Sequence, residues 1–225
     1  MLRKTFGMVA LAAALIAQPA FAQDQRVEIG ATVGWTFSDG VDTQNSVIGP
    51  DGNFYNRIDP KDSFKWGING GAYVTEQTEI GFMFSQQMST LQIDGSQLVD
   101  IGDLSVNNYH GYFAYNFGFS DSPVRPYAFG GLGATQFGEV NYTRLIGGDA
   151  ATTGGDTQFS TTWGVGVKLY PSPNVGLKLG VQWTPTYIRS DAGGYWCDPY
   201  WGCYMTGNPK YANQWDLAGG LTFRF

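Results

Sequence analysis

The sequence predicts an all-β protein: a transmembrane up-and-down antiparallel β-barrel of eight strands. Three observations predict it. Apolar and polar residues alternate along most of the chain beyond residue 25, with the period of two that gives a strand two unlike faces. The links between alternating stretches are short and long in strict turn. Finally, 32 glycines and 16% aromatic residues against only 14% charged ones suit short strands with different faces.

The chain opens differently. Arg3 and Lys4 precede an unbroken apolar run from Met8 to Ala17, and Ala20-Phe21-Ala22 has the small-x-small form of a signal-peptidase site. The run is shorter than the roughly 20 residues a membrane helix needs. Residues 1–22 are therefore expected to be a cleaved secretory signal peptide and 23–225 one barrel domain. Without Arg3 and Lys4, 11 basic residues face 19 acidic ones, a net charge of −8. That balance argues against nucleic acid as a partner.

The strands follow in order. The first, about 26–38, puts Val27, Ile29, Ala31, Val33, Trp35 and Phe37 on one face. The second, about 63–75, does so with Phe64, Trp66, Ile68, Ala72 and Val74, and the third, about 78–90, with Ile80, Phe82, Phe84 and Met88. The fourth, about 104–118, carries Tyr109, Phe113, Tyr115 and Phe117. In the fifth, about 125–142, Gly130, Gly131 and Gly133 blur the faces and the register stays open. The sixth, about 157–170, shows Phe159, Trp163, Val165, Val167 and Leu169; the seventh, about 175–189, shows Val175, Leu177, Leu179, Val181, Trp183 and Tyr187. The last places Tyr211, Trp215, Leu217, Leu221, Phe223 and Phe225 on one face. Links at 76–77, 118–124 and 171–174 are short, while those at 39–62, 91–103, 143–156 and 190–210 are long. Both termini then lie on the short-link side, as in outer-membrane barrels.

The opposite faces hold Glu28, Thr32, Lys65, Asn69, Glu79, Ser85, Gln87, Thr162, Lys168, Lys178, Gln182, Gln214, Asp216 and Arg224. Alternation alone does not choose between a membrane barrel and a soluble one with its apolar face inside. The signal peptide, the terminal aromatic and the unequal links favour the membrane. The segment "NQWDLAGGLTFRF", with Trp215, Leu217, Leu221, Phe223 and the final Phe225, resembles the C-terminal sorting strand of outer-membrane barrels. The mature chain as a whole resembles the OmpA/OmpX-like group of small eight-stranded outer-membrane proteins, with no peptidoglycan-binding domain following. The resemblance implies a Gram-negative outer membrane, its lipids and the barrel-assembly machinery as partners. It does not fix function, since that group spans anchors, adhesins and lipid-modifying enzymes.

An eight-stranded barrel has an interior that side chains fill. Lys65, Lys168, Lys178 and Arg224 are expected to pair there with Glu28, Glu79 and Asp216, because unpaired buried charge is costly. A narrow solute path is the alternative. His110, the only histidine, lies in "NNYHGYFAYN" without a His-x-Ser spacing, and reads as structural rather than as the base of a nucleophile. The run "FGGLGATQFG" lacks the spacing and the helix of a dinucleotide loop; its glycines relieve crowding. The long links are acidic but carry no EF-hand spacing, so no cofactor or metal is expected.

The only two cysteines, Cys197 and Cys203, fall in "GYWCDPYWGCYM", within the fourth long link. In an exported chain a disulfide between them is the expected state. Tyr195, Trp196, Tyr200, Trp201 and Tyr204 then form an aromatic knot, either a surface for an unknown ligand or a cover over the barrel mouth and headgroup layer. The function expected is a non-enzymatic surface barrel, structural or adhesive through its outer loops. A narrow channel is the alternative, and a lipid-modifying enzyme comes third.

Overall fold

The computed structural model describes residues 26–48, 54–95, 98–119, 122–143, 150–188, 197–198, 202–203 and 211–225. The expected signal peptide lies outside them. The described strands are β1 (Val27–Ser38), β2 (Val41–Ile48), β3 (Phe54–Pro60), β4 (Ser63–Tyr73), β5 (Thr78–Gly95), β6 (Leu98–Asn116) and β7 (Val124–Phe137). They continue with β8 (Glu139–Thr143), β9 (Ala150–Gly154), β10 (Thr157–Leu169), β11 (Val175–Tyr187), β12 (Cys197–Asp198), β13 (Gly202–Cys203) and β14 (Tyr211–Arg224). Eight of them make the wall, in the order β5-β4-β1-β14-β11-β10-β7-β6, and the pairing of β5 with β6 closes it. Every pair is antiparallel, and β1 lies between β4 and the last strand. This is the eight-stranded up-and-down barrel that the alternation predicts.

The turns at 74–77, 117–123 and 170–174 lie at the end that carries both termini. Thr75 and Ser172 side chains accept backbone N–H groups in two of them, from Thr78 (3.0 Å) and Val175 (3.2 Å). In the third, Gly118 takes the left-handed conformation, φ 96°, that a side chain disfavours.

The faces separate membrane from soluble barrel. Val33, Phe82 and Leu217 point outward at 54–59% exposure, while Glu28 and Glu79 point inward at 0%. A soluble barrel would reverse this. The outward face is therefore the lipid face. Its aromatics pair across strands, as where Trp183 stacks on Trp215 with centroids 5.7 Å apart. The open register of the fifth strand resolves here: Arg125, Tyr127, Gly131, Thr135 and Phe137 of β7 are buried, and Val124, Pro126, Leu132 and Gln136 face outward.

Two expected boundaries are corrected. Residues 91–103 are not a loop, because β5 and β6 run on as one hairpin to the pair Asp94↔Leu98. The expected strand at 125–142 breaks at Gly138, whose N–H bonds the Ser105 carbonyl at 2.7 Å. Beyond it β8 turns off the wall and pairs with β9. The long links at 39–62 and 190–210 also contain strands, β2 with β3 and β12 with β13.

Glycines on the inner face make room for large side chains. Tyr127 faces Gly166 and Gly180 on the next two strands, where an added Cβ would lie 2.6 and 2.7 Å from its hydroxyl. Tyr112 likewise covers Gly81, 2.7 Å from its Cζ, and Gly71, 2.6 Å from its hydroxyl, and Tyr170 covers Gly176. The lumen is thus filled by complementarity between tyrosine and glycine. Gly180→Ala is expected to cost about 1–3 kcal/mol through overpacking. Tyr127→Phe in the same chain should recover part of that cost, because it removes the nearest clashing atom. Urea titration of the vesicle-embedded protein checks both; equal stability of Gly180→Ala and wild type would contradict the packing.

Candidate functional site

The lumen holds two layers of polar side chains. At the short-turn end, β1 contributes Glu28, β5 Glu79 and β10 Lys168, all at most 1% exposed. Lys168 Nζ bridges the two carboxylates, 2.7 Å from Glu28 Oε1 and 2.7 Å from Glu79 Oε2. Tyr73 and Tyr170 each donate to Glu28 Oε2 at 2.7 Å, and Tyr112 donates to Glu79. Arg224 approaches Glu28 at 3.7 Å and lies over the Tyr170 ring, 4.3 Å from its centroid. The carboxylates have the charge-assisted partners that burial demands. Farther along, Lys65 pairs with Asp216, which also accepts from Thr36 at 2.6 Å. Of the seven charged residues singled out in the sequence, only Lys178 makes no hydrogen bond or ion pair among the described residues; it packs on the Tyr127 ring, 5.0 Å from the centroid.

Above Lys65 and Asp216 a neutral layer crosses the barrel. Gln214 donates to Gln87 at 2.7 Å, Asn108 to Gln214 at 3.3 Å, and Thr135 to Asn108 at 2.6 Å. Thr135 also lies 2.9 Å from Ser160 Oγ, which in turn lies 2.9 Å from His110 Nε2. The sequence reading found no serine for His110, since Ser160 is fifty positions away; strand pairing brings the two together. The pair still lacks the parts of a nucleophilic centre. His110 Nδ1 has no hydrogen-bond partner among the described residues, so no carboxylate orients the ring. His110 and Ser160 are both 0% exposed, which leaves a substrate no approach.

The wall continues past the apolar band. β5 and β6 are 18 and 19 residues long, where a barrel strand crosses a bilayer in about 9–11. Along the hairpin the polarity of the two faces inverts. The outward row passes from Phe82 and Met88 to Thr90 and Gln92, and from Phe113 and Tyr109 to Asn107 and Asp103. The inward row passes from Gln87 and Asn108 to Leu91, Ile93, Leu104 and Val106, each at most 1% exposed. Leu91, Leu104 and Val106 form a second core with Phe137 and Val140, and Ile93 packs beside it with Tyr55 of β3. β3 pairs with the extended part of β5, and β2 pairs with β3, so the barrel carries a sheet with its own apolar interior at the long-loop end.

In the fourth link, β12 and β13 pair so that Cys197 stands directly opposite Cys203. Tyr195, Trp196, Tyr200, Trp201 and Tyr204 lie outside the described residues. Trp215, Leu217, Leu221, Phe223 and Phe225 all face outward. Among the described residues, no three His, Cys, Asp or Glu side chains are grouped to hold a metal ion. The sequence reading passed over Arg125 and the lumenal tyrosines Tyr73, Tyr112, Tyr127 and Tyr170. Their signal was parity: Tyr73 precedes the outward Val74, and Tyr112 precedes the outward Phe113.

Residues 8–223 match the family described as outer membrane protein beta-barrel domain. No curated protein matches the chain by sequence. Among solved structures, the chain is similar to the outer membrane protein OprG from Pseudomonas aeruginosa, at 13% identity and TM-score 0.59, over 90% of this chain and 99% of that one. It is also similar to Neisserial surface protein A, at 15% identity and TM-score 0.53, over 88% and 97%. A third is the outer membrane protein AlkL in lipid bilayers, at 12% identity and TM-score 0.54, over 92% and 95%. At these identities the likeness is one of fold.

Proposed function

We propose that this chain, which belongs to the outer membrane protein beta-barrel family, is a non-enzymatic surface barrel that acts through the sheet and loops at its extracellular end. One observation carries the reading. The lumen is crossed by two successive side-chain layers, and the wall is built outward into a sheet with a core of its own. A barrel that only anchored could stop at the bilayer surface. The sheet gives the acidic links at 39–62 and 91–103 a rigid base. Rigid presentation reduces the ordering cost of recognition. The signal peptide is removed on export, and Cys197 and Cys203 form a disulfide across the β12–β13 pair, which holds Tyr200 and Trp201 in one presentation.

Planar-bilayer recording of the purified protein should give no conductance steps above the lipid baseline. Reproducible steps would favour the second reading, a narrow channel, to which the cavity between the two layers points. Protease added to intact cells should cut only at the long-loop end; cleavage at 171–174 would reverse the topology. Unreduced, denatured protein should show no free thiol. Cys197→Ser with Cys203→Ser should leave heat-modifiable gel migration unchanged, since barrel stability lies in the closed sheet.

A further inference from the structure

We propose that the lumen holds a small inorganic anion, of the size of a halide, against Lys178 between the two polar layers. The inference concerns the barrel interior and stands apart from the role of the outer loops. It begins with charge. Among the described residues the inner face carries Lys65, Lys168, Lys178, Arg125 and Arg224 against Glu28, Glu79 and Asp216, an excess of two positive charges in a low-dielectric interior. The carboxylates are committed: Asp216 to Lys65, and both glutamates to Lys168, with Arg224 beside Glu28. Arg125 stands at the short-turn mouth and gives one N–H to the Glu76 carbonyl at 2.6 Å. Arg125 and Lys178 are thus the two cations without a carboxylate in contact, and of the two only Lys178 lines the lumenal cavity.

Strand register makes its position less favourable still. Arg125 pairs directly with Lys168 across β7 and β10, and Lys168 directly with Lys178 across β10 and β11. Three cations thus occupy consecutive rungs on one face, where like charges placed opposite one another repel. An uncompensated buried charge costs several kcal/mol and is relieved by a counter-charge. The space for one is present. A cavity of about 60 Å³ opens beside Lys178 and is lined also by Thr32, Asn69, Tyr127, Gln182 and the Lys65–Asp216 pair, whose carboxylate is already neutralised, with room for a few water-sized species. Asn69, only 7% exposed, is one of the polar side chains on its wall. The cavity therefore offers an anion the Lys178 ammonium, with the Asp216-paired Lys65 on the same wall. The cavity lies between the two polar layers, so the ion is held within the barrel and serves as a counter-charge.

Protein refolded and crystallised in sodium bromide should show an anomalous scattering peak in contact with Lys178 Nζ; refolding in the salt ensures that slow exchange does not hide the site. In detergent, the unfolding midpoint should rise saturably with bromide or chloride relative to gluconate at constant ionic strength, by roughly 3–6 °C at tenfold over Kd. Lys178→Met should abolish both the peak and the halide dependence, with Lys178→Gln as the second variant if the first folds poorly. Lys61→Met, at an exposed lysine, should retain both. No peak at Lys178 in bromide-refolded crystals would overturn the proposal and mean that the lysine is accommodated uncharged. A halide effect that survives in the Lys178 variants would overturn it too.

Discussion

Lys168→Met is expected to destabilise the barrel by roughly 3–5 kcal/mol. The side chain is 1% exposed and is the shared partner of two fully buried carboxylates. Its removal leaves Glu28 and Glu79 facing one another without the cation that holds them both ionised. Arg224, at 3.7 Å from Glu28, compensates one of them incompletely. The loss is not a measure of what the cluster contributes. Replacing the trio together, Glu28→Gln with Glu79→Gln and Lys168→Met, removes the charges and their desolvation cost at once, and should cost far less than the single change. Urea titration of vesicle-embedded protein, followed by tryptophan fluorescence and by heat-modifiable migration, measures both variants. A single variant within about 1 kcal/mol of wild type would mean that solvent reaches this layer.

The two-residue period was enough to assign the faces, because a β-strand has only two and the bilayer demands opposite polarity on each. Lys178 and Leu179 are separated correctly on that ground alone. Which acid meets which base was not legible. Glu28 and Lys168 are 140 positions apart, and their heights depend on the stagger of strands that closure imposes. The same stagger hid Ser160 from His110. The fifth strand was obscure for another reason: at Gly130, Gly131 and Gly133 the missing side chains are the message. Gly130 lies under the Trp163 ring outside, and Gly131 and Gly133 lie close against the neighbouring strand inside. The hairpin at 91–103 is hidden in the sequence because its apolar and polar faces exchange where the strands leave the bilayer. Leu91 and Ile93 have the parity of the inward Gln87, and Leu104 and Val106 that of the inward His110. The strands did not stop; the solvent around them changed from lipid to water.

That inversion yields an expected result along one continuous hairpin. Phe82→Arg or Phe113→Arg, within the lipid-facing band, should cost about 2–4 kcal/mol if the site lies near the bilayer midplane. Leu217→Arg on the last strand should behave alike. Gln92→Arg and Asp103→Arg continue the same outward rows on β5 and β6, yet should fall within about 0.5 kcal/mol of wild type, as surface changes do. The inward rows should respond in the opposite sense. Leu104→Ala, at a residue 1% exposed and packed with Leu91, Val106 and Val140, should cost about 2–5 kcal/mol by leaving a cavity, although it lies outside the bilayer. Ser85→Ala, on the inner face of the spanning part, should cost little, because Ser85 makes no side-chain hydrogen bond among the described residues. Refolding into vesicles, with urea titration of each variant, reads all six positions of the hairpin on one scale. A uniform cost along the outward rows would place the whole hairpin in lipid, and would remove the extracellular sheet on which the proposed function stands.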